Sequence, residues 1–543
     1  MHERWNSALS FLGTMFILGL VHLLVYQPSE PFFNNDETRH VMTGVFFRDF
    51  FVDLPLDNIR EYTVRYYLQY PALGLLVWPP FFYFIEGLFM LVFGTSFLVS
   101  KIVIGLFAVL ACGYLFQLVR RTHDVLTATL AALLLGFSPF FFSFSHQVML
   151  EVPTLALGMG ATYHFVCYLD QERRRDLLLA ALLSVFTALT RFDGIYLIPL
   201  FLILLGGLQR LTVLRRKEVL MAAALALFLA LPFCILAAME FGHYQVTHVV
   251  LPHSSRSPSL LSVLFFYPSL LPFQLSVFAV IPAIVGFGAA LRATRRGRSW
   301  PYLAIVAATY LTFTPIAERE PRHTIYWLPA FALFAADGIT LLSDWWGGWK
   351  SRLLLACCVI GGEVITTIVQ PRFFVQGYEK AAHYVLANSL TSRFCFFEGG
   401  LDGNFVYQIR HHDPDRRLWI LRADRLLYNQ AIIPDTSYVE IAKSEEDILT
   451  TIFKYDPEFI IVEEPRSFSR IPMADRLREV LRNHPERFRL EATIPIQSNR
   501  RMFRGMHLKV YRNLLRNEHP ETHLNIDMLA LGRTFQAVVP SQE

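Results

Sequence analysis

Charge is what this sequence has least of. Asp, Glu, Lys and Arg make up 17% of its 543 residues, against 54% apolar residues. That balance excludes an ordinary soluble chain of this length. The formal net charge is only +4. The basic residues are not pooled in one patch, which excludes a nucleic-acid partner. Cysteine is scarce too. Five of the six cysteines, Cys112, Cys167, Cys234, Cys357 and Cys358, fall in apolar runs, and Cys395 lies outside them. Neither metal spacing nor a disulfide framework is visible among them. No glycine-rich phosphate loop follows a strand, and there is no internal repeat or low-complexity segment.

What the chain has is apolar runs of bilayer length. They fall at 8–26, 97–119, 126–142, 153–169, 177–189, 195–208, 220–239, 270–291, 302–316, 325–342 and 353–369. The fold class this predicts is a polytopic α-helical membrane protein with about eleven transmembrane helices. The first run lacks a small-residue cleavage site and reads as an uncleaved signal anchor.

Charge settles two ambiguities. The apolar stretch 72–93 is long enough to span, but counting it would turn every later basic cluster outward (residues 173–175, 215–217, 295–298, and Lys350 with Arg352). The positive-inside preference opposes that, and the double proline of Trp78-Pro79-Pro80 fits a helix interior poorly. The stretch therefore reads as interfacial structure on the outer surface. Likewise, 177–208 reads as two short helices joined at Arg191-Phe192-Asp193-Gly194, because one long helix would bury both charges. Asp-Gly is a turn dipeptide.

With these choices the N-terminus is cytoplasmic and the C-terminus lies outside. Residues 1–370 form the transmembrane domain, with a large first outer loop at 27–96. Residues 371–513 are charged and mixed, with short strands at 394–398, 418–421, 459–463 and 508–511 and helices at 444–453 and 473–483. This predicts a small extracytoplasmic α/β domain. Residues 514–543 read as a polar, loosely held tail.

The polar residues that stand out gather at outer helix ends. Asp36, Glu37 and Arg39 follow the first run. His146 and Glu151 precede the fourth, and Arg191 and Asp193 form the outer turn. His243, His248, His253 and Arg256 lie in the 241–267 loop, and Arg322 and His323 lie in 317–324. Carboxylates can take a proton from an acceptor hydroxyl. Arg and His can stabilise the charge that grows on a departing phosphate. That set suits displacement at an anomeric carbon. The short inner loops leave no room for a nucleotide-sugar domain, so the donor expected is a lipid phosphate sugar. Each residue also has a plainer reading: solvated loop charge for Asp36 and Glu37, a helix-start carboxylate for Glu151, and an interfacial anchor for Arg322. Glu363, an acid inside the last apolar run, is a candidate on position alone.

In order along the chain stand Asp36-Glu37-Thr38-Arg39, Trp78-Pro79-Pro80, Ser138-Pro139 with His146 and Glu151, Thr190-Arg191, and Glu320-Pro321-Arg322-His323 before Pro329. This series resembles the GT-C fold glycosyltransferases of the protein O-mannosyltransferase and lipid A aminoarabinose transferase-like superfamily, over residues 7–342. The resemblance implies Asp36 as catalytic base, with Glu37 orienting the acceptor or the base. It implies Arg39, His146, Glu151, Arg191, Asp193, Arg256, Arg322 and His323 as substrate-binding residues. Trp78 stands where members often have Lys before Pro-Pro, and His323 replaces the usual aromatic.

The expected activity is that of an inverting glycosyltransferase moving a hexosyl or pentosyl group from a polyprenyl-phosphate donor to an extracytoplasmic protein, lipid or glycan. Membrane lipid is the other partner. No cofactor is predicted, although Asp36, Glu37 and Glu151 offer oxygen ligands for a divalent metal. The expected site is a bacterial inner (plasma) membrane, with the C-terminal domain periplasmic or extracellular. The rival readings are a flippase of lipid-linked sugars and a non-catalytic cell-envelope assembly scaffold.

Overall fold

The computed structural model describes residues 2–25, 34–245, 259–389, 393–430, 438–468, 470–528 and 533–539. The chain opens with helices α1 (His2–Leu24), α2 (Asn35–Asp53), α3 (Ile59–Gln69), α4 (Phe81–Phe93), α5 (Phe97–Arg120), α6 (Val125–Phe137), α7 (Pro139–Phe144), α8 (Glu151–Gln171) and α9 (Arg174–Ala188). It continues through α10 (Leu197–Gly207), α11 (Lys217–Gln245), α12 (Leu260–Ser269), α13 (Leu271–Leu275), α14 (Val277–Ala290), α15 (Ala293–Phe313), α16 (Leu328–Asp344) and α17 (Trp349–Val369). Among the described residues five helices are long and apolar enough to cross a membrane: Trp5–Leu24, Phe97–Arg120, Lys217–Gly242, Pro321–Asp344 and Trp349–Val369. Shorter apolar helices accompany them.

The chain divides into two compact units. The first comprises Met1–Tyr26, Leu76–Phe82 and Lys101–Arg372. Its surface is apolar: on α11, Phe228 is 74% exposed, as a lipid-facing side chain must be. Apolar faces gain nothing from burial against each other in lipid, so its interior relies on close approach. Gly286 on α14 lies against the Phe334 carbonyl of α16, and Gly338 on α16 lies against the Pro282 carbonyl of α14; a Cβ at either would collide with backbone. The chain breaks where the Arg191–Asp193 charges required it to. Helix α9 stops at Ala188, Arg191 is extended, and a 3-10 turn, Phe192–Tyr196, leads into α10.

The second unit comprises Gln27–Leu75, Tyr83–Ser100 and Phe373–Glu543. Residues 34–75 and 83–100 thus cluster with the C-terminal residues, and much of this stretch is helical. Helix α2 starts at a side-chain cap, with Asn34 Oδ1 accepting the Glu37 N–H at 3.0 Å. Its apolar residues are spread around the axis rather than in one stripe, so no helical period announces it.

The later elements are β1 (Val375–Gln376), α18 (Tyr378–Asn388), β2 (Phe394–Glu398), α19 (Asp402–His412), β3 (Trp419–Arg422), α20 (Ala423–Leu426), β4 (Tyr428–Gln430), β5 (Tyr438–Glu440), α21 (Glu445–Tyr455) and β6 (Phe459–Glu464). After these come α22 (Pro472–Asn483), β7 (Phe488–Pro495), β8 (Gln497–Ser498), β9 (His507–Asn513), β10 (His523–Met528) and β11 (Arg533–Val538). A five-stranded sheet has the order β3-β2-β6-β9-β7. β2 pairs in parallel with β3 and β6, aligning Cys395 with Ile420 and Phe459, while β9 runs antiparallel to β6 and β7. All five residues of β2 are buried, as a central parallel strand covered on both faces must be. A capping box at Ser444 and Asp447 starts α21.

The residues expected to form a loosely held tail instead include an antiparallel hairpin, β10 with β11. Leu524, Ile526 and Val539 from this region are buried in the same core as Phe394, Trp419, Ile460 and Leu477. The alternation of His523-Leu524-Asn525-Ile526 buries one face and leaves the other in water.

Candidate active site

Within the first unit, the acidic and basic residues singled out by sequence come together. Glu151 is the first residue of α8 and is fully buried. Arg191 reaches it, with Nη1 2.9 Å from Oε1. The same guanidinium donates from Nε to Asp193 Oδ2 at 2.6 Å. Arg322 approaches the same carboxylate, Nη1 lying 3.6 Å from Glu151 Oε1, and pairs with Glu320. One buried carboxylate therefore sits between two guanidinium groups. The Arg322 side chain is 24% exposed against 9% for Arg191, so Arg322 retains access for an anionic ligand.

Burial alone would raise the Asp193 carboxyl, but the neighbouring Arg191 guanidinium overrides it and holds the group below the usual carboxylate range. Asp193 also accepts the Tyr326 hydroxyl at 3.1 Å. Tyr326 stacks on Tyr196, ring centroids 4.7 Å apart, and on Phe313 at 5.6 Å. His323 stacks on the other neighbour of that row, Phe313, and its Nδ1 lies 3.3 Å from the Tyr267 hydroxyl. Gln274 ties the segment down, donating to the Pro321 carbonyl and to Thr324 Oγ1, each at 3.0 Å, and accepting Trp327 Nε1–H at 2.9 Å.

His146 packs elsewhere. Its Nε2 lies 3.4 Å from His22 Nδ1, the rings 4.8 Å apart, and its Nδ1 faces the Phe142 carbonyl at 2.8 Å. Burial, reinforced by His22, lowers its pKa to about 3.

In the second unit, Asp36 and Glu37 occupy the first turn of α2, where the helix dipole favours carboxylates. Glu37 is buried and Asp36 partly exposed. Helix α19 holds this turn in place. Asn35 Nδ2 donates to the Gly400 carbonyl at 2.6 Å just before α19. Thr38 packs so close to Gly403 that a Cβ there would clash with its hydroxyl. Arg39 Nη2 lies 3.5 Å from Asp402 Oδ1, and Asp402 Oδ2 pairs with Arg422 at 2.6 Å. Arg39 thus ties the first turn of α2 to α19. His40 Nδ1 lies 2.7 Å from the Tyr83 hydroxyl.

Arg256, His248 and His253 lie outside the described residues. Sequence reasoning missed Tyr196, Tyr267, Gln274 and Tyr326, which sit inside or beside apolar runs and carry no charge to mark them. It also missed Asp402, whose partner Arg39 is remote in sequence. The one motif signal available was the Asp402-Gly403 start of a helix. Among the described residues, the group of His, Cys, Asp and Glu side chains close enough to hold a metal ion is Glu379, His383 and His412.

This fold is found in known proteins. The structure matches that of ArnT from Cupriavidus metallidurans bound to undecaprenyl phosphate, with a TM-score of 0.61 at 13% identity over 94% of this chain and 99% of that one. It matches the Archaeoglobus fulgidus oligosaccharyltransferase in its apo form with a TM-score of 0.54 at 12% identity, over 83% and 69% of the two chains. It also matches the mycobacterial arabinofuranosyltransferase AftD with a TM-score of 0.52 at 12% identity, over 97% of this chain and 41% of that one. Residues 77–236, which contain Glu151, Arg191 and Asp193, match the family model described as dolichyl-phosphate-mannose-protein mannosyltransferase. No curated protein matches the sequence. The chain is an integral membrane protein with the GT-C fold.

Proposed function

We propose that the chain is an inverting glycosyltransferase that moves a hexosyl or pentosyl group from a polyprenyl-phosphate donor to an extracytoplasmic protein, lipid or glycan. The observation that carries this reading is the match over nearly the whole chain to ArnT bound to undecaprenyl phosphate. The paired arginines at Glu151 support it. In the reaction, Asp36 takes the proton of the acceptor hydroxyl. The acceptor oxygen bonds to the anomeric carbon, and the bond from that carbon to the phosphate oxygen breaks on the opposite face. The electron pair leaves with the polyprenyl phosphate. Arg322, with Arg191 behind Glu151, stabilises that negative charge. Glu37 and Arg39 fix the α2 turn, Asp193 and Glu151 orient the guanidinium groups, and His323 packs beside them on Phe313.

The setting proposed is a bacterial inner membrane crossed about eleven times, with a cytoplasmic N-terminus, residues 371–513 as a periplasmic domain, and no resident cofactor.

The test incubates purified full-length protein with radiolabelled polyprenyl-phosphate sugars and membrane extract, beside Asp36→Asn. Label leaving the donor only with the wild type supports the proposal and names the sugar. Folded protein that releases label from no donor overturns it in favour of a flippase or scaffold.

A further inference from the structure

We propose that Glu379, His383 and His412 bind one divalent transition-metal ion of the zinc class, which ties α18 to α19. Two imidazoles and a carboxylate are a borderline-soft donor set that suits zinc and its neighbours. Magnesium and calcium prefer oxygen ligands throughout.

Local geometry brings the three together. Glu379 and His383 stand four residues apart on α18 and so share a face. His412 is the last residue of α19. Glu379 Oε1 lies 3.8 Å from His383 Nε2 and 3.6 Å from His412 Nε2, and the three donor atoms all fall within 4.8 Å of one another. Tetrahedral zinc with bonds of about 2.0–2.1 Å needs donors about 3.3 Å apart. Small side-chain rotations close that difference.

A second observation points the same way. His412 Nε2 is buried yet makes no hydrogen bond, because the carboxylate beside it stands beyond hydrogen-bond distance. A buried imidazole nitrogen without a hydrogen bond is costly, and a metal bond removes the cost. The His383 and His412 rings lie 4.1 Å apart at a 40° tilt, so two protonated imidazoles there would repel. The Glu379 and His383 side chains are 47% and 58% exposed, which leaves the fourth position open to water.

The ion would act on more than α18. Helix α19 also carries Asp402 toward Arg39 and Arg410 toward Asp49, both on α2. A clamp between α18 and α19 therefore stiffens the helix that holds the Asp36 turn.

The test uses the full chain in detergent, purified through a tag without histidine and stripped with chelator. Cys357 and Cys358 are exposed and would take up zinc themselves, so both are replaced by serine throughout. Zinc chloride titrated calorimetrically should bind at one equivalent and raise Tm. His383→Gln and His412→Gln should each weaken binding on the order of tenfold or more and abolish the Tm rise. Cobalt in place of zinc should give visible bands that the same variants lose. His383 is exposed enough that its substitution leaves folding intact, so its result stands even if His412→Gln misfolds. No saturable zinc binding, or binding unchanged in His383→Gln, overturns the site and leaves Glu379 and His383 as a surface ion pair only.

Discussion

Arg410 grips Asp49 with two nitrogens, Nε at 3.0 Å and Nη2 at 2.6 Å from the same carboxylate oxygen, and both side chains are buried. Tyr66 donates its hydroxyl to that oxygen at 2.7 Å, and Arg48 donates to the other at 2.9 Å. The pair joins the far end of α2 to α19. Removing Arg410 leaves the buried Asp49 carboxylate with only the more exposed Arg48 beside it, and removing Asp49 leaves the buried Arg410 guanidinium without its carboxylate. Arg410→Met should therefore destabilise the second unit by about 3–5 kcal/mol, whereas Asp49→Asn with Arg410→Met should cost less than the single change. Thermal unfolding of the wild type, Arg410→Met, Asp49→Asn and the double variant measures this. A double variant as damaged as the sum of its singles would show that the two side chains do not act as a pair.

Asp36→Asn should lower kcat by about 10²–10⁴, the range expected when a general base is lost, with Tm unchanged because the partly exposed first turn keeps its Asn34 cap. Sugar release per minute and a melting curve on the same preparation check it. Near-normal turnover would remove Asp36 from the mechanism.

Glu151→Gln should damage both stability and turnover. Arg191 keeps Asp193 at 2.6 Å and Arg322 keeps Glu320, but the fully buried carboxylate between them is gone. A loss of about 3 kcal/mol or more is expected for a broken buried pair. Arg322→Lys retains charge but loses the planar fork. It should raise KM for the lipid-phosphate donor more than it lowers Tm, which donor titration resolves.

Gly286→Leu and Gly338→Leu should each prevent α14 and α16 from reaching their observed separation, since even a Cβ would collide with the facing carbonyl. Overpacking of this kind costs about 1–3 kcal/mol or more. Detergent-solubilised yield and Tm of these variants, beside a Gly288→Leu control at a position with open space, give the comparison.

The His146 ring titrates at about 3 when folded, against 6.5 unfolded. The unfolded chain therefore binds the proton first as pH falls. Stability should be insensitive to this group above pH 6.5 and decline between pH 6.5 and about 3. The slope attributable to it should be below about 1.4 kcal/mol per pH unit, since the ring keeps some exposure. His146→Gln should flatten that part of the profile, and equal slopes in both proteins would refute the assignment.

Much of the architecture could be read directly. The strands expected at 394–398 and 459–463 are β2 and β6 within one residue, because central strands buried on both faces need unbroken apolar runs. Helix α2 could not be read, because its partners are spread around its circumference and no stripe forms. The β10–β11 hairpin was hidden among polar residues, although Leu524 and Ile526 already stood two apart. Of the site, charge marked Glu151, Arg191 and Arg322, whereas nothing local distinguished Tyr326 from any other aromatic in an apolar run.

The sequence by itself determined the apolar solvent this chain requires, the break at Arg191, and which helix ends carry charge, since these follow from composition, run length and period. Only the tertiary structure decided that Arg191 and Arg322 share Glu151, that Arg39 serves Asp402, and that residues 34–75 pack with the C-terminal residues. Each of those depends on contacts between residues far apart in the chain. Such contacts are selected by packing and charge compensation in three dimensions, and neither leaves a periodic trace in one.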